Sequence, residues 1–278
     1  MSDPVISPED PRLHGPDVVR WLDARSGPTG RARYEAEHVA GACFVDLETD
    51  LSAVGPDAAR GGRHPLPPLR TWLGTLGRLG IGPATRVVIY DDQGGANAAA
   101  RAWWMLRAVG HQAVHVLDGG LTGAQDAGLP LASGWEGAPR LDPYPSPAGW
   151  QAPTVEFERV DQLRQDPHSR LIDVRSAERF RGEHEPIDPV AGHIPGAVSL
   201  PLAENLDARG RFKGADALRA LYEGVLDGAD PSQAVLSCGS GVTACHGLLA
   251  MERAGLTGAA LYVGSWSEWG RRRPPEDA

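Results

Sequence analysis

Two halves of the chain pass through the same succession of elements, and this repetition restricts the fold more than any other feature. Leu22-Asp-Ala-Arg25 in the first half is matched by Leu171-Ile-Asp-Val-Arg175 in the second. His38-Val-Ala-Gly-Ala42 is matched by His193-Ile-Pro-Gly-Ala197, and the apolar run at 87–90 by the run at 234–237. His115-Val-Leu117 corresponds to Leu261-Tyr-Val263. The offset stays at about 150 residues, a domain length rather than a solenoid period. The short apolar runs predict buried strands of a parallel sheet. Helical spacing at 71–79, 98–109 and 215–226 places helices between them, and a short helix-like stretch is expected at 16–22. Strands alternating with helices in each half predict an α/β fold in two domains. We expect domains at 1–137 and 156–278, joined by a Pro/Gly-rich linker at 138–155. The loop at 52–68, rich in Gly, Pro and Arg, is too long for a plain connector.

The repeat diverges at one position that matters chemically. Asp91 follows the apolar run of the first half, and Cys238 follows that of the second. Cys238 opens the segment Cys238-Gly-Ser-Gly-Val-Thr-Ala244, which runs into an amphipathic helix stopped by Gly255. Gly239 and Gly241 are expected to let the backbone curl, so that amide N–H groups converge on the sulfur. The helix N-terminus adds positive potential. Both effects favour a nucleophilic thiolate. The alternative is a buried structural cysteine, and the strand–Cys–Gly-x-Gly–helix context favours the reactive reading. An aspartate cannot do thiol chemistry. The second domain is therefore expected to carry the reaction and the first to supply a wall of the cleft.

Composition removes several function classes. A net charge of −9 argues against general nucleic-acid binding. No apolar stretch is long enough to span a membrane, and the opening residues, with Pro4, Pro8, Pro11 and Pro16, show no signal peptide. Three cysteines make no disulfide framework, so a reducing, cytoplasmic setting is expected. Lys213 is the only lysine, so an anion site must draw on arginine or backbone N–H. Neither metal-ligand spacing nor a nucleotide-type glycine loop is present, and no cofactor is expected.

The repeated His-x-x-Gly-Ala elements, the Cys238 loop and the C-terminal Gly264-Ser-Trp-Ser-Glu-Trp269 together resemble two-domain rhodanese-type sulfurtransferases, from about residue 18 to residue 270. The resemblance implies two tandem rhodanese-like domains, each a mostly parallel sheet flanked by helices. It implies a Cys238 persulfide that takes a sulfane sulfur from a small-molecule donor and passes it to a thiol, a thioredoxin-like protein or cyanide. With Gly239 and Ser240 after the cysteine, the loop looks more like the 3-mercaptopyruvate branch than the thiosulfate branch, which carries basic residues there. Gly239, Gly241, Val242 and Thr243 would line the donor site, and Arg179 matches an arginine that binds the anionic donor. His64 and Glu48 match a histidine and a carboxylate that reach the loop serine, so Glu48, His64 and Ser240 are read as a relay that handles a proton as pyruvate enolate leaves. One departure stands out. The second arginine usual before the His-Ile-Pro-Gly turn would fall near Pro186 or Ile187 and is missing, and an arginine from the first half such as Arg63 is the candidate to substitute for it.

Other readings are weighed beside these. Thr243 can serve as a helix cap and His64 as the anchor of a Pro-rich loop. Arg175 reads as a structural partner of Asp173, Arg181 as a surface charge, and His38 and His193 as turn residues. Cys43 and Cys245 read as buried, and Trp266 and Trp269 as core. Thiosulfate:cyanide sulfur transfer is the alternative function. Ala244, standing where a phosphate-clamping arginine would be needed, argues against a phosphatase. A non-enzymatic binding module would require a degenerate loop, and the loop at Cys238 is intact.

Overall fold

A computed structural model of the chain describes residues 3–14, 19–96, 98–145 and 147–273. These form two compact units. The first unit comprises Met1–Ala53, Pro67–Gln151 and Ala208–Phe212; the second comprises Val54–Leu66, Ala152–Asp207 and Lys213–Ala278.

The first unit contains strands β1 (Val5–Ile6), β2 (Val19–Asp23), β3 (His38–Val39), β4 (Cys43–Phe44), β5 (Arg86–Tyr90), β6 (Val114–Leu117) and β7 (Leu131–Ala132). Its helices are α1 (Gly30–Ala36), α2 (Leu69–Arg78), α3 (Ala98–Arg107) and α4 (Gly120–Asp126). A five-stranded sheet runs in the order β1-β6-β5-β2-β4, with parallel pairing throughout. β3 and β7 make a small antiparallel ladder beside it. The central β5 reads Arg-Val-Val-Ile-Tyr, and 87–90 are fully buried, as a strand covered on both faces requires.

The second unit contains β8 (Thr154–Val155), β9 (Arg170–Asp173), β10 (Val198–Ser199), β11 (Ala234–Ser237) and β12 (Ala260–Tyr262). Its helices are α5 (Phe157–Leu163), α6 (Ala177–Phe180), α7 (Ala215–Leu226), α8 (Ala244–Arg253) and α9 (Ser265–Arg272). The sheet order β10-β9-β11-β12-β8 is that of the first unit, again with parallel pairs. The register repeats as well: Leu22 pairs with Ile89 in one unit, and Ile172 with Leu236 in the other. The duplication read in the sequence is therefore a duplication of fold, two α/β domains with parallel sheets flanked by helices. The core of the second unit joins Phe157, Leu171, Val235, Tyr262, Trp266 and Trp269.

Two local expectations change. The helix-like stretch at 16–22 is in part strand β2, because Val19–Asp23 pairs with β5 and β4 and tertiary pairing outweighs local spacing; residues 16–18 lie outside the described residues. The segment expected to link the domains is laid onto the first unit. Leu141 and Tyr144 donate N–H groups to the Gly77 and Leu73 carbonyls at 2.9 and 3.0 Å, and Gln151 donates to Ala108 at 2.7 Å. Among the described residues, no helix is long and apolar enough to cross a membrane.

Candidate active site

β11 is the central strand of its sheet, and Cys238 follows it directly, at the end where open parallel sheets place ligands. Its side chain is 1% exposed. The Sγ accepts the Gly241 N–H at 3.1 Å. Gly241 makes that bend with φ +73°, and a Cβ there would strike the Val263 carbonyl. Gly239 was expected to help the curl, but it does not enter the left-handed region. Its lack of a side chain matters for space: a Cβ would stand 3.1 Å from Arg63 Nη2 and 3.3 Å from Arg179 Nη2.

The loop leads into α8. Thr243 holds the N-cap position, but its side chain makes no capping hydrogen bond, so its alternative reading as a cap is not met. Val242 is buried and its carbonyl accepts the Cys245 N–H at 3.1 Å. At the far end, Leu256 N–H bonds Met251 O and Gly255 N–H bonds Glu252 O, the paired bonds of a Schellman stop.

Ser240 is buried, and its Oγ lies 2.8 Å from Nδ1 of half-buried His64. His64 and Arg63 belong to the second unit, with Cys238. Glu48 belongs to the first unit and is exposed; its N–H bonds Asp46 Oδ1 at 2.9 Å.

Arg179 makes two hydrogen bonds to Glu185, at 3.1 and 2.7 Å. Arg63 makes two to Asp188, at 3.1 and 3.3 Å, and Arg271 adds a third to Asp188 at 3.0 Å. Burial pushes the Glu185 carboxyl up, but the Arg179 hydrogen bond and the Asp188 and Ile187 N–H groups outweigh it and hold it below 4.5. Arg175 sits behind, forked onto Asp173 and reaching Glu185 at 3.3 Å. This cluster sets four guanidinium groups, Arg63, Arg175, Arg179 and Arg271, against three carboxylates, Asp173, Glu185 and Asp188. Its excess is positive, and it faces Gly239 beside the sulfur.

Sequence reasoning missed Glu185, Asp188 and Arg271. The signal was present in Glu185-Pro-Ile-Asp188, two carboxylates just after the arginine-rich segment at 175–181. Arg63, which the sequence offered as a substitute for the missing arginine, is brought beside the cysteine loop, with its Nη2 3.1 Å from where a Cβ on Gly239 would stand.

The first unit shows the same turn in another state. Asp91 is fully buried, and its carboxylate accepts the Gln93 and Gly95 N–H groups at 2.9 and 2.8 Å. A side-chain carboxylate thus takes backbone N–H groups at the turn where, in the second unit, Sγ takes the Gly241 N–H. The structural readings are met elsewhere. Arg25 forks onto Asp23 as Arg175 does onto Asp173. His38 and His193 bond the Tyr34 and Phe180 carbonyls at 2.8 Å and stack on those rings. Cys43 and Cys245 are buried, as are Trp266 and Trp269, while Arg181 pairs with Glu183 at the surface.

The rhodanese-like domain family matches the chain twice, at residues 10–127 and 156–272. A probable 3-mercaptopyruvate sulfurtransferase of Pseudomonas aeruginosa is 43% identical over 93% of this chain and 91% of its own length. A putative thiosulfate sulfurtransferase of Mycobacterium tuberculosis is 40% identical over 91% of this chain and 88% of its own. Among solved structures, the 3-mercaptopyruvate sulfurtransferase of Leishmania major superposes with TM-score 0.81 at 33% identity, covering 92% of this chain and 71% of that one. SseA of Escherichia coli, a 3-mercaptopyruvate sulfotransferase, superposes with TM-score 0.76 at 31% identity, covering 96% and 100%. The chain belongs to the rhodanese-type sulfurtransferase family, as a tandem of two rhodanese-like domains.

Proposed function

We propose that the protein transfers a sulfane sulfur from 3-mercaptopyruvate to a thiol or cyanide acceptor through a persulfide on Cys238. The observation that carries the reading is the set of groups around one sulfur: the Gly241 N–H on Sγ, and two guanidinium groups and a serine–histidine pair beside the same loop. The Cys238 thiolate attacks the donor sulfur. A sulfur–sulfur bond forms, the donor carbon–sulfur bond breaks, and pyruvate enolate leaves. The proton of the donor thiol ends on the enolate carbon, giving pyruvate. Ser240 and His64, at hydrogen-bond distance, are suited to carry that proton. Glu48 as the carboxylate of this relay rests on its sequence match alone. In the second half-reaction an acceptor thiolate or cyanide attacks the outer sulfur and releases the Cys238 thiolate.

Arg179 and Arg63 hold the donor carboxylate, with Arg63 taking the place of the missing arginine near Ile187. Gly239, Gly241, Val242 and Thr243 form the floor of the donor site. We read residues 1–137 and 156–278 as the inactive and the catalytic domain. An acceptor of thiol, thioredoxin-like or cyanide type and a cytoplasmic location suit a nucleophilic cysteine that has to stay reduced. Thiosulfate is the second donor to weigh, because relatives of similar identity carry both names. Comparing kcat/KM for 3-mercaptopyruvate and thiosulfate tests the choice. A higher value for 3-mercaptopyruvate is expected, and a higher value for thiosulfate contradicts it.

A further inference from the structure

The segment Gly61-Gly-Arg-His64 brings two working side chains to the loop, yet it is neither helix nor strand. Gly61 and Gly62 both have φ +81°. Glycine has the most conformational freedom to lose, so such a strap does not hold its own shape. Its backbone donors must find partners elsewhere. Gly61 N–H donates to Glu268 Oε1 at 3.1 Å, and Arg63 N–H donates to Ser267 Oγ at 3.1 Å. Between them Gly62 lies so close that a Cβ would stand 2.8 Å from Ser267 Oγ and 2.9 Å from Gly264 Cα.

Both acceptors are themselves fixed. Ser267 Oγ donates to Gly264 O at 2.9 Å. Glu268 is buried, and its second oxygen takes the Tyr262 hydroxyl at 2.9 Å. The same turn holds the cysteine loop by its backbone. Cys238 N–H donates to Ser265 Oγ at 3.1 Å, Trp266 N–H to Cys238 O at 3.0 Å, and Ser267 N–H to Gly239 O at 2.8 Å. Ser265 reaches this place with φ +49°, a left-handed conformation uncommon outside glycine. One turn, at the start of α9, thus fastens the loop that carries Cys238 and Ser240 and the strap that carries Arg63 and His64.

We propose that Ser267 and Glu268 are positioning residues for sulfur transfer: they pin the Gly61–His64 strap so that Arg63 stands over Gly239 and His64 meets Ser240. The proposal takes the roles of Arg63 and His64 from the functional reading above. It differs from a plain core role for α9, because the two residues act on the reaction only through the strap.

The test is a set of double-mutant cycles. Glu268→Ala, Glu268→Gln and Ser267→Ala are each made in the full-length parent and in the Arg63→Gln/His64→Asn background. Two quantities are read: kcat/KM with 3-mercaptopyruvate, and the ratio of iodoacetate to iodoacetamide alkylation at Cys238, followed on its peptide by mass. In the parent, Glu268→Ala and Ser267→Ala are each expected to lower both quantities by about threefold or more. In the background without Arg63 and His64, the loss is expected to shrink to under about 1.5-fold. Glu268→Gln keeps a carbonyl oxygen for Gly61 N–H and is expected to retain most of the parent values. Equal losses in the two backgrounds overturn the proposal, and Ser267→Ala alone decides it if Glu268→Ala does not fold. The alkylation ratio needs no sulfur transfer. A parent that turns over no donor contradicts the functional reading, while the ratio still decides the role of the strap.

Discussion

His64 Nδ1 stands 2.8 Å from the Oγ of Ser240, two residues beyond Cys238 in the same loop. The pair bridges residues far apart in sequence, and in the proposed reaction it is the proton path beside Cys238. His64→Asn and Ser240→Ala are each expected to lower kcat with 3-mercaptopyruvate by about a hundredfold, the usual scale of a lost general acid or base. The double variant is expected to be little worse than either single one, because both interrupt one path. Steady-state kinetics of the three variants checks this, and multiplicative losses contradict it.

Arg63 and Arg179 lose nothing of the sulfur chemistry itself if they only hold the donor anion. Arg63→Gln and Arg179→Gln are expected to raise KM for 3-mercaptopyruvate by about ten- to a hundredfold, the worth of a charge-assisted hydrogen bond, with smaller effects on kcat. Arg179→Gln also strips a partner from Glu185, which is buried at 3% side-chain exposure, so a lower melting temperature is expected for it. Arg63 is more exposed, at 23%, and its loss is expected to be milder in the melt.

Acid stability has a buried histidine behind it. Burial pushes the pKa of His246 down from 6.5 to about 3, and its Nδ1 meets the Asn205 side chain at 3.2 Å. The unfolded chain takes up a proton near pH 6.5 while the folded chain resists it. The stability tied to this group is therefore complete above pH 6.5 and is lost as pH falls from there towards 3. Urea melts at pH 7 and pH 5 are expected to show a drop for the parent and a smaller drop for His246→Gln.

The forks Asp23–Arg25 and Asp173–Arg175 are buried ion pairs at the ends of β2 and β9. Asp173→Ala leaves a guanidinium at 1% exposure facing Glu185, the Gly192 carbonyl and the Trp266 ring. A loss of about 3–5 kcal/mol is expected. Asp23→Ala in the first unit is expected to cost a similar amount, and urea titration of both variants measures it.

Much of this was legible in the sequence, for physical reasons. Runs such as Val-Val-Ile-Tyr and Ala-Val-Leu-Ser are strands because a sheet covered on both faces tolerates little else, and their repetition carried the two-domain fold. Cys238 stood out because strand, glycines and helix follow one another along the chain. Contacts between distant segments were less visible. Nothing near Gly61 announces that Ser267 and Glu268 will accept its strap's N–H groups, some 200 residues away. Part of the helix-like stretch expected at 16–22 is strand instead, because β5 pairs with Val19–Asp23 over five residues. The buried carboxylates Glu185 and Asp188 sit in a segment with neither helix nor strand, where no periodicity marks them.

The central claim is that Cys238 carries the transferred sulfur. All three cysteines are buried, so burial does not single one out; Cys238 is marked by the Gly241 N–H on its sulfur, whereas burial pushes the Cys43 thiol up against the pull of Arg20. The most direct measurement is the mass of the protein after treatment with 3-mercaptopyruvate in the absence of acceptor, with peptide mapping. We predict a gain of one sulfur atom on the Cys238 peptide, lost on addition of cyanide, retained in Cys43→Ser and Cys245→Ser, and missing in Cys238→Ser. Sulfur found on another cysteine, or full transfer activity in Cys238→Ser, would contradict the account.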